Sequence, residues 1–298
     1  AAERYLNGER NTLWKGQSDG KPAIFHKAVL RAATIGTLPA LFLDATANAD
    51  IYTALFGDRI EFHGYDIPMD PDTEVVQIHD STLYHRKLSA KPSGLIHRLA
   101  AWLMLHGGIE RAGIVTHKDT LEAIRALLPG QPGAHYGALR GLDFLKSATA
   151  LIVAGRPEAH VLDVEALARA LWPRAALALG ATQYTPTRGH YRMRDGRRVP
   201  VQVRQHPDPR VAACVQHVRE ENLIQAIGRG RFLRSIGQPR LLVVATSVPV
   251  PGLTVDRLVA LDEVLPERRL SVALLAGQGV APLAPAWLAE HCPDEFST

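Results

Sequence analysis

From Leu95 to Ala245, short apolar runs alternate with stretches of helical periodicity, and that alternation leaves few folds open to the chain. Leu95–Leu105 sets Leu95, Leu99, Trp102 and Leu103 along one side of a helix. Ala112–Thr116 reads as a strand, His117–Leu128 as a helix and Ala148–Ala154 as a second apolar strand. Leu162–Leu171 reads as a helix with Leu162, Leu167 and Leu171 inward, Val211–Ile227 as another helix, and Leu241–Ala245 as a third buried strand. Continuous apolar strands separated by helices of about 10–15 residues predict an α/β fold, a mostly parallel sheet covered on both faces.

The flanks are less regular. The first 35 residues read as a polar lead-in with a short helix around Phe25–Ala33. Leu38–Leu43 has the form of a buried parallel strand, and Asn48 is placed to cap a helix through Phe56 that Gly57 ends. Ile60–Pro92, with Glu74–His79 extended and Pro68, Pro71 and Pro92 as breaks, reads as a connection between lobes. Val255–Leu265 fits a helix with Leu258, Leu261 and Leu265 as its stripe. With 298 residues and 46% apolar side chains there is room for two cores of about 150 residues each. No apolar run approaches the roughly 18 residues of a membrane span, no charged-then-apolar leader follows Ala1, and Cys214 and Cys292 cannot build a disulfide framework. A soluble protein of a reducing compartment, the cytoplasm, is expected, with no membrane partner. The 13 histidines form no zinc-type spacing: His79 with His85, and Cys214 with His217, are close pairs without a second pair at the right distance, so no metal ligands are expected.

Charge is concentrated. The formal net charge is +4, but Gln183–Arg240 holds 12 arginines against four acids, a net of +8, so the remaining residues sum to −4. Within Gln183–Arg210, Asp195-Gly196 sits between alternating flanks, with Tyr191 and Met193 before it and Val199, Val201 and Val203 after it. That pattern predicts a β-hairpin. It carries Arg188, Arg192, Arg194, Arg197, Arg198 and Arg204. A basic ribbon tracks phosphates, and Tyr191 is placed to stack on a base; the plain alternative is a solvated surface hairpin.

The most specific string is Gln225-Ala226-Ile227-Gly228-Arg229-Gly230-Arg231-Phe232-Leu233-Arg234. Glu221, Gln225 and Arg229 share one helical side. Gly228 and Gly230 weaken a helix and suggest a backbone that approaches something closely. Arginines without neighbouring acids suit phosphate, which a guanidinium grips bidentately. This decamer resembles motif VI of the superfamily 2 helicases, Gln-x-x-Gly-Arg-x-x-Arg. The resemblance implies that Arg229 is an arginine finger toward ATP and that Gln225 and Gly228 belong to the nucleotide site. Phe232 stands where the family has its last arginine, so either Arg231 or Arg234 is the second phosphate ligand.

Further segments follow in the family's order. Arg140-Gly141-Leu142-Asp143, with the strand Ala150–Ala154 behind it, resembles motif V, although Tyr136-Gly137-Ala138 replaces the usual Thr-Asp. The resemblance implies that Arg140 contacts the polymer backbone and that Gly141 and Asp143 serve the nucleotide or orient the finger. Gly113-Ile114-Val115-Thr116-His117 resembles motif IV, with Thr116 toward nucleic acid. Leu43-Asp44-Ala45-Thr46 resembles motif III, which couples the lobes, giving Asp44 and Thr46 that role. No lysine phosphate loop is present: Gly16–Pro22 has one residue too few between its glycines and a proline after Lys21. Leu258–Glu263 follows motif VI and so stands in the wrong order for a magnesium-binding Asp-Glu box.

The resemblance implies a RecA-like α/β architecture: residues 1–72 a remnant of the first lobe, 73–93 a linker, 94–246 the second lobe with hairpin insertion 183–210, and 247–298 a helical extension. It implies the second motor lobe of an ATP-dependent helicase, with Mg²⁺-ATP bound mainly by an N-terminal lobe not in this chain, and nucleic acid, DNA in expectation, as partner. Alone, the chain is expected not to hydrolyse ATP efficiently, and Arg192, Arg194, Arg197 and Arg198 are expected to touch the nucleic acid. The alternatives are a non-catalytic nucleic-acid-binding module on the same fold and a nucleotide-binding enzyme in which Gln-x-x-Gly-Arg is coincidental.

Overall fold

A computed structural model describes residues 13–18, 21–26, 41–44, 46–64, 68–85, 88, 94–233, 237–282 and 284–296. In chain order the elements are β1 (Leu13–Ser18), β2 (Lys21–His26), α1 (Ala49–Phe56), β3 (Thr73–Ile78), α2 (Leu95–Leu105), β4 (Ala112–Thr116), α3 (Lys118–Leu127), β5 (Gly133–His135) and β6 (Ala150–Ala154). They continue as α4 (Val161–Leu171), β7 (Thr185–Met193), β8 (Arg198–Gln205), α5 (Pro209–Gly228), β9 (Arg240–Ala245), β10 (Thr254–Val255), β11 (Arg257–Val259), α6 (Arg268–Ala276) and α7 (Pro285–His291). The chain divides into two compact units. No helix among the described residues is long and apolar enough to cross a membrane.

The larger unit comprises residues 66–157, 189–201 and 222–298. Its centre is a six-stranded sheet in the order β11-β3-β9-β6-β4-β5, and every neighbouring pair is parallel. β4 and β6 are buried along their whole length, as strands covered on both faces must be. On one face α2 and α3 pack Leu99, Trp102, Leu103, Leu121 and Ile124 over Ile114, Ile152 and Val243. On the other, Leu223, Ala226, Ile227 and Phe232 join Tyr191 and Met193 over Val115, Val153 and Val244. The α/β class and the three expected strands agree with the sequence.

The smaller unit comprises residues 1–65, 158–188 and 202–221. Ile51, Val164, Ala168, Leu171, Val211, Cys214 and Val215 form its core. Asn48 accepts the Ile51 N–H at the start of α1, and Gly57 ends that helix at φ +71°, as its sequence predicts. At the start of α5, Asp208 accepts the amides of Arg210 and Val211, with Pro209 as the first helical residue.

Several expectations fail. Residues 73–93 are no mere linker, because Thr73–Ile78 is an interior strand with Val75, Val76 and Ile78 buried. Residues 247–298 are not a separate helical extension, because Arg257–Val259 forms the sheet's edge beside β3. The expected helix Val255–Leu265 is instead two short strands and one turn; Asp256 accepts the Val75 N–H at 2.8 Å and thereby pins the segment to the sheet. Leu162 is 60% exposed; the inward stripe of α4 begins one residue earlier, at Val161. Leu41 and Leu43 are exposed outside any strand, while Leu38–Ala40 lie outside the described residues. Phe25 belongs to β2, antiparallel to β1, and residues 27–33 of the expected helix lie outside the described residues.

Candidate functional site

The arginine decamer falls at the end of α5. After Gly228 the amides of Arg229, Gly230 and Arg231 each bond a carbonyl three residues back, a tightened turn that leads the chain out of the helix. Gly230 is buried and a Cβ there would stand 2.0 Å from the Phe232 ring, so this glycine does allow a close approach. Gly228 is exposed with open space around it. Arg231 adopts φ +54°, a left-handed conformation rare for a side chain of its size. Phe232 is 1% exposed; the place where the motif VI pattern has an arginine is therefore a core position.

The Arg-Gly-Leu-Asp segment lies against this turn. Arg229 Nη1 donates to the Leu142 carbonyl at 3.3 Å, and Arg231 meets Asp143 Oδ1 at 3.3 Å. Lys146 donates to the other Asp143 oxygen at 2.7 Å. That hydrogen bond first, then the charges of Lys146 and Arg231, hold the Asp143 carboxyl below the ordinary aspartate range. Gly141 takes φ +74°, which suits glycine at this bend. Arg140 and Arg231 are exposed, whereas Arg229 and Gln225 are half-buried and the Arg229 Nε is enclosed without an acceptor. Of the two described arginines of the decamer, Arg231 is thus the more exposed, with Asp143 as its partner. Arg234 lies outside the described residues.

All of this stands at the amino ends of β6 and β9, for Ala148 just precedes the first strand and Arg240 opens the second. Open parallel sheets ordinarily take ligands at the carboxyl ends of their strands. That opposite edge carries Thr116, fully buried, with its carbonyl accepting the Tyr136 N–H. The Thr116 hydroxyl is therefore not presented to a polymer. His117 and Tyr136 follow there, with ring centroids 5.3 Å apart, and the Tyr136 hydroxyl donates to the Gly155 carbonyl.

The hairpin forms as its Asp-Gly turn predicts, with Asp195 accepting the Arg197 N–H across it. Alternation along β7 leaves Arg188 and Arg192 exposed. Tyr191 and Met193 point into the core; the Tyr191 hydroxyl donates to the Ser247 carbonyl at 2.6 Å, and burial pushes it up to about 12. Tyr191 does not stack on a base. Arg194, just past β7 and exposed, meets Asp256 through two nitrogens and donates to the Thr73 carbonyl. Arg197 pairs locally with Asp195. Arg188, Arg192, Arg198 and Arg204 are exposed and, among the described residues, pair with no acid. In the smaller unit Asp44 accepts the Thr46 amide and hydroxyl and the Tyr52 hydroxyl, a local turn that accounts for both Asp44 and Thr46.

The sequence reading passes over one residue of this site, Arg240. Its sequence signal is a lone arginine abutting the apolar run Leu241–Ala245, where a cation faces burial unless its donors are met.

The guanidiniums of Arg229 and Arg231 suit phosphate oxygens. Among the described residues no three His, Cys, Asp or Glu side chains could hold a metal ion, and Asp143 is taken by Lys146 and Arg231. Comparison with protein-family models, with curated proteins and with solved structures finds no match to this chain.

Proposed function

We propose that this chain supplies the second, RecA-like motor lobe of an ATP-dependent nucleic-acid helicase or translocase. The observation that carries the reading is the meeting of Arg229 with Leu142 and of Arg231 with Asp143, pairs 87 and 88 residues apart. Two strings that resemble motifs V and VI are thereby neighbours on one surface, as a shared nucleotide site requires. Arg231, exposed and held by a carboxylate, exchanges Asp143 for a phosphate oxygen; Arg229 contributes its charge from a half-buried position beside it. Such arginines stabilise charge on a transferring phosphoryl group, worth roughly 10³–10⁵ in rate. ATP and its magnesium are held chiefly by a first lobe that this chain does not supply.

The test is nucleic-acid-stimulated ATPase of the intact protein. Arg231→Ala and Arg229→Ala are each expected to lower turnover by at least about 10³-fold while nucleic-acid affinity stays within about threefold. Turnover retained in both variants would overturn the finger assignment. A second reading, a non-catalytic nucleic-acid-binding module, is favoured by the exposed Arg192 and Arg198 with no acidic partner among the described residues. Salt-dependent binding without any stimulated ATPase in the intact wild-type protein would select it.

A further inference from the structure

Arg240 opens β9 and is followed by five apolar residues. Its side chain is 4% exposed, and among the described residues no acid stands within ion-pair distance of it. Burial lowers its affinity for its proton, the Asp70 carboxylate partly offsets this, and the guanidinium remains charged. A buried cation without a paired acid is tolerated only when its donors find acceptors. Here every hydrogen bond goes to a main-chain carbonyl, and the carbonyls belong to two segments. Nη2 donates to Gly230 and Nη1 to Arg231 at 3.3 Å, both in the turn that carries the arginines. Nε and Nη2 donate to Ala148 at 3.2 and 2.8 Å, and Nη2 to Lys146 at 3.2 Å, on the stretch that follows Asp143. The Arg240 Cζ lies 4.2 Å from the centroid of the Phe232 ring, which closes one face of the guanidinium.

We propose that Arg240 is a positioning residue: it fastens the backbone of Arg229–Phe232 to the Asp143–Ala148 stretch and so fixes where Arg229 and Arg231 stand. The ligand this serves rests on the phosphate reading above; the clamp itself does not. The left-handed backbone at Arg231 and the close approach of Gly230 to Phe232 are conformations that need such an outside hold. Lysine cannot replace it, because an ammonium has three donors at one point and no flat face, where arginine has five donors in a rigid fork.

The experiment uses this chain with Arg240→Lys, Arg231→Ala, Arg229→Ala and the double variant Arg240→Lys/Arg231→Ala. Amide hydrogen exchange is followed at Gly230–Phe232 and, as control, at Leu242–Val244 in β9. In Arg240→Lys, exchange in the turn is expected to accelerate at least about tenfold while β9 changes less than about twofold. Affinity for inorganic triphosphate, by calorimetry, is expected to fall about tenfold in Arg240→Lys, and the double variant to be no weaker than Arg231→Ala alone. Equal acceleration in turn and strand, which a merely structural role produces, would overturn the proposal, as would unchanged exchange in the turn. If neither Arg229→Ala nor Arg231→Ala alters triphosphate affinity, the phosphate reading fails and the exchange result still decides the clamp. Should Arg240→Lys not fold, Phe232→Leu takes its place, removing the ring but keeping an apolar side chain; unchanged exchange in its turn counts against the clamp.

Discussion

Gly228 and Gly230, two positions apart, have different reasons to be glycine. Both read in the sequence as places of close backbone approach, and only Gly230 is one: an added Cβ there would meet the Phe232 ring at 2.0, 2.5 and 2.8 Å, whereas Gly228 has nothing within 4 Å. Gly230→Ala is therefore expected to destabilise by about 1–3 kcal/mol through forced displacement of a buried ring. Gly228→Ala, at the end of a helix in open space, is expected to be neutral or stabilising by up to about 1 kcal/mol. Urea denaturation of both variants checks this, and equal effects would mean that the ring does not set the constraint. At this scale the legible features were residue types with a local partner. Asn48, Gly57 and Asp195 act within three residues of themselves or at their own backbone, so the string around them was sufficient. Tyr191, Thr116 and Arg240 were opaque because their partners or their burial come from distant segments. A hydroxyl that donates to Ser247, 56 residues away, looks in a sequence like one free to stack.

The hairpin shows how an element sorts residues that composition treats alike. Six arginines read as one basic ribbon, and all six are exposed, but Arg194 and Arg197 are held by Asp256 and Asp195, whereas Arg188, Arg192, Arg198 and Arg204 pair with no acid among the described residues. Arg194 faces Asp256, their side chains 32% and 25% exposed. Replacing Arg192 and Arg198 by Ala is expected to leave stability unchanged and to lower the salt slope of nucleic-acid affinity by about 1.4–1.8, two phosphate contacts' worth. Arg194→Ala is expected to do the reverse, leaving the slope alone and costing about 1–2 kcal/mol, because a partly screened ion pair and a bonded carbonyl are both lost. Titrations at several salt concentrations beside thermal melts separate the two; a smaller slope in Arg194→Ala would return that residue to the nucleic-acid face. Elements were legible where burial was complete. β4, β6 and β9 are apolar along almost their whole length, but β3 carries Glu74 and Gln77 and reads only as an extended piece of a connection, and β11, three residues long with Arg257 exposed, reads as part of a helix.

Over the whole molecule, covalent order misled the reading most. Contiguous lobes were expected, yet 158–188 and 202–221 join 1–65 in one unit, while 189–201 and 222–298 join 66–157 in the other. A core asks only that apolar faces meet, and the stripe of α4 meets Ile51 and the start of α5 rather than the sheet that precedes it in sequence. Because each unit has its own buried ionisable groups, acid should reach them in a definite order. In the larger unit burial, followed by the charge of His85, lowers the pKa of His117 below the ordinary histidine value, although Asp119 and the Arg156 backbone oppose this. The unfolded chain then binds the proton more readily, so stability of that unit falls as pH drops through about 6.5 toward the folded pKa, by at most about 1.4 kcal/mol per pH unit. In the smaller unit burial would raise Asp208, but the amides of Ala178, Val211 and Arg210 outweigh it and hold the carboxyl low. The stability that Asp208 contributes is complete above its unfolded value of about 3.9 and is lost only as pH falls through its lower folded pKa. Between pH 7 and 5, hydrogen exchange corrected for intrinsic rate should therefore accelerate at Leu151–Val153 and not at Val164–Leu171. His117→Asn, which cannot titrate and suits the N-cap position that His117 holds before α3, should abolish the acceleration. The same acceleration in that variant would assign the response to other groups of the larger unit.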